Sequence, residues 1–499
     1  MIKPLGADLL LGIDAGTTLL KAAVYTPDGR CLGAGEAPQP TTSPQPNWVE
    51  QEPTVWWQGM RRAVRKCLAL SGVSGEAIAA IGLSTQAGTL AVFDADGKPK
   101  GPALVWSDLR QRMPENADKA IIEEHFKLTG LPHLNMSPAA IGWLRAHKPE
   151  WFAGSFRIGY VPDYLTFRLT GEWVSDSTNI GLSNLISLAS GDLALPVIDR
   201  LGLTRNNFAV TRQAGNFAGE LLPRAAKELG LRPGIAVAVP VHDQYAAALG
   251  AGCIHVGDAL ISCGTAWVLH LTVSEPIIDP HSSFWPGRHV QPNLWGLLGA
   301  ISTGGSTLER MLVITNQRRA WDKINAAVQA IPPGSDGLLV IPHLAGRTIP
   351  TWQTQARGAI LGWALGHSRE HLWRAALEGI ALETRVARDY FIQQGIKGNE
   401  LRMVGGAARS AIWPKILASV LNVPVQVNAS ENIAVRGAAS LAARALGGSD
   451  LPQSDAWQKY LPEPAWRNCY DEVYARYQEA IRRLEGGLAH SRNSSKDSV

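Results

Sequence analysis

The order of hydrophobic and polar positions near the start of the chain predicts a β-hairpin. An apolar run at residues 9–13 is followed by a polar turn and by a second apolar run at residues 19–25, a pattern typical of two antiparallel strands. The turn contains Asp14, Gly16, Thr17 and Thr18. Such a turn suits phosphate through its glycine, N–H groups and hydroxyls, and the aspartate suits a divalent cation held through water. The alternative is a hairpin whose small residues only satisfy turn geometry.

The same plan returns about half a chain length later, at residues 259–268. An apolar strand leads there to Gly264 and Thr265, and a second apolar strand follows. Two copies of one pattern, each opening a segment that reads as an α/β domain, predict a duplicated fold. Two phosphate-binding turns that face each other favour a nucleotide bound in a cleft between two domains.

Polar residues follow two further predicted strands in the first half. One strand ends before Gln86 and Ala87, and another ends before Trp106 and Asp108. Because ligands collect at strand ends in open α/β sheets, we expect these residues to contact a polyol, with the indole against a carbon face. An exposed ion pair between Asp108 and Arg110 is equally consistent with the sequence.

Two other segments of the first half have simpler interpretations. Trp56 and Trp57 lie on a helix predicted from Pro53 to about residue 70, where tryptophans more often fill a core than stack on a sugar. The polar loop at residues 171–179 is interpreted either as a cover over the sugar or as an ordinary solvated loop.

A strand predicted near residues 235–242 delivers Asp243 and Gln244 to the start of a helix of small residues. The positive end of a helix dipole favours the charged form of a carboxylate. An aspartate that only caps the helix is the alternative. The place of Asp243 just before the second predicted phosphate turn favours a catalytic carboxylate.

Glycines also open elements of the second half. Gly304 lies at the start of a predicted helix, and a strand at residues 401–404 leads to Gly406 and then to Ser410. Turns of this kind let a nucleotide approach the backbone closely. The helix predicted from about residue 370 to 393 carries apolar residues at helical spacing and is expected to be core.

Composition narrows the class of protein. The chain has 499 residues, of which 45% are hydrophobic and 18% charged, so two domains of roughly 200–250 residues are expected. A net charge of +4 without a basic, aromatic stripe argues against nucleic acid. Five scattered cysteines favour reduced thiols in the cytosol over disulfides or zinc. We find no signal segment and no stretch of about 18 apolar residues, so we expect a cytoplasmic protein without a membrane span.

Together these motifs resemble the FGGY family of carbohydrate kinases, most closely its xylulokinase-like members. The likeness runs over nearly the whole chain, from Gly12 to Ala439. The family's C-terminal pattern is similar to residues 358–378, with Trp363 in place of the usual aliphatic residue. The N-terminal pattern is looser, since Ala140 stands where the family commonly has lysine and Asn135 is also unusual.

The resemblance implies an α/β protein with two actin-like (ribonuclease H-like) domains that close on ATP and a sugar. Residues 1–254 would form the N-terminal domain, residues 255–485 the nucleotide-binding C-terminal domain, and residues 486–499 a flexible tail. The matching implies that Asp243 is the general base and that Asp14 is linked to Mg²⁺. It places Gly16, Thr17, Thr18, Gly264 and Thr265 on the phosphate loops, and Gly304, Gly406 and Ser410 near the nucleoside.

The implied reaction is ATP-dependent phosphorylation of a primary hydroxyl of an open-chain ketose or polyol. The loop matching Gln86 and Ala87 carries an arginine and a glutamate in glycerol kinases, and methionine and histidine in xylulokinases. This chain has neither pair, so glycerol is disfavoured and D-xylulose leads among pentuloses, hexuloses and tetritols. The expected sugar contacts are Gln86, Ala87, Trp106, Asp108 and Gln244.

Two rival functions stay open at this point. The phosphate turns alone also fit an actin-like ATPase that acts on a protein partner, and a sugar-binding sensor without catalysis is a third interpretation. We expect a small-molecule sugar or polyol as the partner, and neither nucleic acid nor membrane. A homodimer is consistent with the resemblance, since dimers are common among similar kinases.

Overall fold

The computed structural model describes residues 9–113, 116–429, 432–454 and 456–494, with side chains as far as residue 485. The first half contains, in chain order, β1 Leu9–Ala15, β2 Leu19–Tyr25, β3 Cys31–Pro38, β4 Glu50–Gln51, α1 Pro53–Ser71, β5 Ile78–Thr85, β6 Leu90–Asp94, β7 Ala103–Leu104, α2 Lys119–Thr129, α3 Ser137–His147, β8 Phe156–Tyr160, α4 Val161–Thr170, β9 Val174–Ser175, α5 Ser177–Leu182, α6 Leu195–Arg200, β10 Val210–Thr211, β11 Phe217–Glu220, α7 Pro223–Leu229, β12 Ala236–Ala238, β13 Val241–His242 and α8 Asp243–Ala251. The second half contains β14 Ala259–Cys263, β15 Trp267–Val273, β16 Trp285–Arg288, β17 Trp295–Ile301, α9 Gly304–Ile314, α10 Trp321–Ala330, β18 Leu339–Ile341, β19 Ala359–Leu361, α11 Arg369–Gln393, β20 Leu401–Gly405, α12 Trp413–Leu421, β21 Val425–Asn428, α13 Ile433–Ala445, β22 Gln458–Tyr460 and α14 Arg467–Ser494.

The two halves are built on sheets of the same plan. In the first sheet β3, β2 and β1 are antiparallel neighbours, and β5 and then β12 continue the sheet parallel to β1. In the second sheet β17, β15 and β14 are antiparallel, and β20 and then β21 continue parallel to β14. The predicted duplication and both hairpins are therefore confirmed. Each half has its own apolar core.

Several local predictions are confirmed closely. The first long helix spans Pro53–Ser71 with Trp56 and Trp57 buried, and the core helix of the second half spans Arg369–Gln393. One difference concerns the C-terminal segment. The backbone of α14 is helical to Ser494 and so enters the segment from residue 486 that is predicted as a flexible tail. Residues 495–499 of that predicted tail lie outside the described residues.

Helix α8 of the first half packs on the second sheet, and helix α13 of the second half packs on the first sheet. The late helix α13 packs against β1 and β5 of the first sheet, with Val435, Ala439 and Ala442 among the buried contacts. Helix α8 packs its alanines against Leu260 and Val404 of the second sheet. The two helices also pack against each other. The domain boundary predicted at residue 254 falls in the connection between α8 and β14.

Glycine makes this crossing of helices and sheet possible. A Cβ atom on Gly12 or Gly82 would lie 2.2 Å or 1.8 Å from a carbonyl oxygen of α13. A Cβ atom on Gly250 or Gly437 would lie 2.2 Å or 1.9 Å from a carbonyl oxygen of the opposite helix. Backbone therefore packs directly on backbone at all four positions.

Among the helices of the described ranges, none combines the length and the apolar character that a membrane span needs.

Replacing Gly82 by alanine should destabilise the protein. The new methyl group would meet the carbonyl oxygen of Ala438, so the backbone of β5 or α13 must move. Overpacking usually costs about 1–3 kcal/mol, and a clash with backbone belongs at the upper end. We expect a melting temperature several degrees lower, measured by circular dichroism.

Gly142→Ala is the matched control for this experiment. Gly142 lies in α3, and a Cβ atom there would meet nothing within 4 Å. Alanine favours a helix over glycine by about 1 kcal/mol, so this variant should unfold at the same or a slightly higher temperature. Equal melting temperatures for the two variants would contradict the close packing of α13 on β5.

Candidate active site

Three neighbouring strand ends bring the first carboxylates together. In the paired strands β1, β5 and β13, Ser84 is the register partner of Asp14 on one side and of Val241 on the other. The Ser84 hydroxyl donates a hydrogen bond of 2.7 Å to Oδ1 of Asp14. Asp243 follows the end of β13 and begins α8. The carboxyl ends of parallel strands thus deliver both aspartates to one edge of the sheet.

Asp14 and Asp243 interact electrostatically. The pKa of Asp14 is raised from 3.8 to about 6, chiefly by burial and then by the negative charge of Asp243, whereas the hydrogen bond from Ser84 lowers it. Two carboxylates that repel each other form a site that a cation would stabilise.

The side chains at the start of α8 are partly exposed. The side chain of Asp243 is 28% exposed, and Nε2 of His242 lies 3.0 Å from its Oδ1 atom. Gln244 is also partly exposed, and its buried Oε1 atom has no hydrogen-bond donor among the described residues. Both side chains are therefore accessible to a ligand hydroxyl or amine.

The first turn is held by its carbonyl groups. The side-chain amides of Gln39 and Gln51 donate to the carbonyl oxygens of Gly16 and Thr17, each at 3.0 Å. The backbone N–H of Gln39 donates to the carbonyl of Thr18 at 2.7 Å. With these carbonyls bound, the N–H groups of the turn are left for an anion, the arrangement that binds phosphate in a backbone nest.

The second turn supports the start of α9. The N–H of Ser306 donates to the carbonyl of Thr265 at 3.1 Å. Gly305 allows this contact, since a Cβ atom there would lie 2.2 Å from the carbonyl oxygen of Gly264. A Cβ atom on Gly304 would lie 2.3 Å from the ring of Trp267. The N-terminus of an eleven-residue helix and the glycine turn therefore adjoin, and helix N-termini attract phosphate.

The residues of this edge fit magnesium better than a metal held by protein alone. Within the described ranges, no three His, Cys, Asp or Glu side chains form a metal-binding group. Mg²⁺ usually takes one or two carboxylates together with water and substrate phosphates. Asp14, with Asp243 at the same sheet edge, matches the carboxylate part of that donor set.

Comparison with known proteins decides the family. A model of the N-terminal domain of the FGGY family of carbohydrate kinases matches residues 9–250, and a model of its C-terminal domain matches residues 259–446. The chain belongs to this family. It is therefore a carbohydrate kinase with the two-domain FGGY fold, and its family is ATP-dependent.

Individual relatives span nearly the full length of this kinase. Xylulose kinase of Escherichia coli is 28% identical over 488 residues, covering 95% of this chain and 98% of the relative. Glycerol kinase of Alkalilimnicola ehrlichii is 30% identical over 497 residues, covering 96% and 98%. The crystal structure of xylulose kinase from Rhodospirillum rubrum is 26% identical, with a TM-score of 0.86 over 96% of this chain and 100% of that one.

Two residues predicted to lie near the nucleoside, Gly406 and Ser410, differ in their exposure and contacts. Gly406 is exposed and follows Gly405, whose φ of +94° and approach to the carbonyl oxygen of Cys263 favour glycine. Ser410 is buried, and its hydroxyl donates to Oδ1 of Asn325 at 2.7 Å while accepting the N–H of Trp413 at 3.1 Å. The hydroxyl of Ser410 thus joins α10 to α12, and a place near the nucleoside stays a prediction.

Two of the predicted sugar contacts are bound inside the protein. Oε1 of Gln86 accepts hydrogen bonds from Thr17 and Thr89, and its Nε2 donates to Gln51. The buried carboxylate of Asp108 accepts both guanidinium bonds of Arg110 and two backbone N–H groups. We therefore revise both expectations: Gln86 holds the first phosphate turn, and Asp108 belongs to a buried ion pair rather than an exposed one.

The remaining sugar candidates leave an open surface beside the first turn. Trp106 is 47% exposed, and its indole N–H donates to the hydroxyl of Thr17 at 3.0 Å. Ala87 is buried beside Gly88. A Cβ atom on Gly88 would lie 2.3 Å from Cε of Met136, so this methionine fills the space next to the loop. Met136 was missed in the sequence because the contact joins positions far apart in the chain.

Replacing Gln86 by methionine should raise the KM for ATP more than the KM for the sugar. The variant keeps the length of the side chain but removes the acceptor of the Thr17 hydroxyl. Loss of a buried hydrogen bond of about 1–1.5 kcal/mol corresponds to roughly a tenfold higher KM for ATP. Initial rates measured with each substrate varied in turn test this. A rise in the sugar KM alone would instead support direct contact between Gln86 and the sugar.

Proposed function

We propose that this carbohydrate kinase transfers the γ-phosphoryl group of MgATP to a primary hydroxyl of an open-chain ketose or polyol, with D-xylulose as the leading substrate. The observation that carries the proposal is the partly exposed carboxylate of Asp243, which follows β13 at the same sheet edge where Asp14 lies on β1. Because the chain belongs to a family of carbohydrate kinases, this function replaces the alternative of an actin-like ATPase that acts on a protein partner.

In this mechanism Asp243 accepts the proton of the acceptor hydroxyl as its oxygen attacks the γ-phosphorus in line. The amide of Gln244 orients the same substrate. The N–H groups of Gly16–Thr18, the turn at Gly264 and Thr265, and the start of α9 bind the phosphates. Asp14 would hold Mg²⁺, directly or through water. The bound ion supplies positive charge against the charge that develops on the phosphates.

The substrate class is argued from the surface beside Gly88 and from relatives. The loop at residues 86–89 lacks the arginine and glutamate of glycerol kinases, and Met136 adds an apolar contact there. An exposed indole offers a flat face to carbon atoms. The matched relatives include xylulose kinase and L-xylulose/3-keto-L-gulonate kinase of Escherichia coli. These features favour a ketose over glycerol, while another pentulose, a hexulose or a tetritol is the alternative.

A screen of ADP release tests the proposal. The purified protein is given MgATP with pentuloses, hexuloses, tetritols, pentitols or glycerol in turn. We expect turnover that depends on one sugar, highest with D-xylulose and low with glycerol. Strong dependence on another ketose would change the substrate but keep the mechanism. ATP hydrolysis without any dependence on sugar, or sugar binding without turnover, would contradict the proposed kinase reaction.

Replacing Asp243 by asparagine should abolish sugar-dependent ADP release. The amide cannot accept the hydroxyl proton, and general-base catalysis typically contributes ~10²–10⁴-fold. The affinity for MgADP, measured by calorimetry, should stay close to that of the wild type. Asp28→Asn, on an exposed turn after β2, is the matched control and should keep full activity. Turnover of Asp243→Asn within tenfold of the wild type would reject the assignment.

A cytoplasmic location and a homodimer remain predictions of the sequence. Size-exclusion chromatography with light scattering would determine the number of chains in the assembly.

A further inference from the structure

Asp176, Thr178 and Asn179 form a buried polar turn at the start of α5, the Asp176 turn. The carboxylate of Asp176 accepts four hydrogen bonds, from the N–H and hydroxyl of Thr178 at 3.0 and 2.6 Å and from the N–H and side-chain amide of Asn179 at 3.1 and 2.6 Å. All three side chains are at most 3% exposed. They belong to the segment that the sequence suggested as a cover or a solvated loop, and the structure places them inside the protein.

The turn reaches two strand ends of the first sheet. The hydroxyl oxygen of Thr178 accepts the backbone N–H of His242 at 3.0 Å. The side-chain oxygen of Asn179 accepts the hydroxyl of Thr85 at 3.1 Å. Thr85 and His242 are register partners at the ends of β5 and β13. The Asp176 turn therefore bridges the two strand ends next to the active site.

Strand β13 needs this support. It is only two residues long and pairs with β5 alone. Asp243 is the next residue, and Nε2 of His242 lies 3.0 Å from its Oδ1 atom. The position of the carboxylate therefore depends on the backbone at His242 and Asp243. That backbone is fixed one residue earlier, at the N–H of His242.

We propose that Thr178 is a positioning residue for Asp243. Its hydroxyl, oriented by Asp176, holds the N–H of His242 and so places the neighbouring carboxylate at the acceptor hydroxyl. This inference rests on the proposed role of Asp243 as general base. Proton transfer requires the base within about 2.6–3.2 Å of its partner, and a displacement of about 1 Å can cost on the order of 10²-fold in rate.

Thr178 has no part in binding the substrate. Its side chain is buried, and its hydroxyl already donates to Asp176 and accepts from His242. A positioning role therefore predicts a loss in kcat with little change in KM. A general structural role predicts instead a loss of folded protein, with normal kinetics for the fraction that folds.

The test compares Thr178→Val with Thr178→Ser. Valine has the shape of threonine but offers no acceptor to His242, whereas serine keeps the hydroxyl. We expect Thr178→Val to lower kcat by roughly 10–100-fold, with the KM for sugar and for MgATP within about twofold of the wild type. Thr178→Ser should restore kcat to within about threefold. Circular dichroism and MgADP binding verify that each variant is folded.

A second pair of variants removes the donor instead of the acceptor. His242 has a φ of −63°, which is the angle that proline fixes, and proline has no N–H. His242→Pro and His242→Ala both lose the imidazole, but only the alanine variant keeps the backbone donor. We expect the proline variant to have a kcat roughly 10–100-fold below that of the alanine variant. If Thr178→Val does not fold, the comparison of His242→Pro with His242→Ala still tests the positioning role.

Wild-type kcat in folded Thr178→Val, equal losses in the valine and serine variants, or equal kcat in the proline and alanine variants would each overturn the positioning role. Asp243→Asn is measured beside them. If Asp243→Asn is inactive while Thr178→Val is fully active, only the positioning role fails. If Asp243→Asn keeps its turnover, the assignment of the base itself fails.

Discussion

Direct contact between backbones, where α13 meets β1, β5 and α8, is the constraint on which the two-domain structure depends. At Gly12, Gly82, Gly250 and Gly437 a single methyl group would lie within about 2.2 Å of a carbonyl oxygen. Cores are packed too densely to absorb such an atom without moving the backbone. Since α13 comes from the second half and covers the first sheet, these contacts also join the two halves of the chain.

The active site lies at the edge of this packed region. Gly12 and Gly82 are two residues before Asp14 and Ser84, so the strands that α13 fixes are those that carry the first carboxylate and its hydroxyl partner. Helix α8, fixed from the other side, begins with Asp243. The Asp176 turn then connects the strand ends through side chains. The residues proposed for catalysis thus lie on or next to rigid elements, which hold functional groups more accurately than loops do.

Much of this structure could be predicted from the sequence, and the failures share a physical cause. The hairpins and α11 follow periodic patterns that depend on neighbouring residues alone. Whether Gln86, Asp108 or Ser410 faces a ligand or a buried partner depends on residues such as Thr17, Arg110 and Asn325, and the local pattern is the same in either case. The Asp176 turn did carry a signal, because aspartate before a helix is a preferred N-cap. Its burial and its bond to His242, however, join positions far apart in the chain.

The exchange of covering helices also has a consequence for synthesis on the ribosome. When α8 has emerged, the first sheet still lacks the helix that buries Leu10 and Ala80. Residues 252–432 must be translated before α13 appears, which takes roughly 10–40 s at ~5–20 residues per second. An apolar sheet face is exposed for that interval. The N-terminal half therefore cannot complete its core until α13 has been translated.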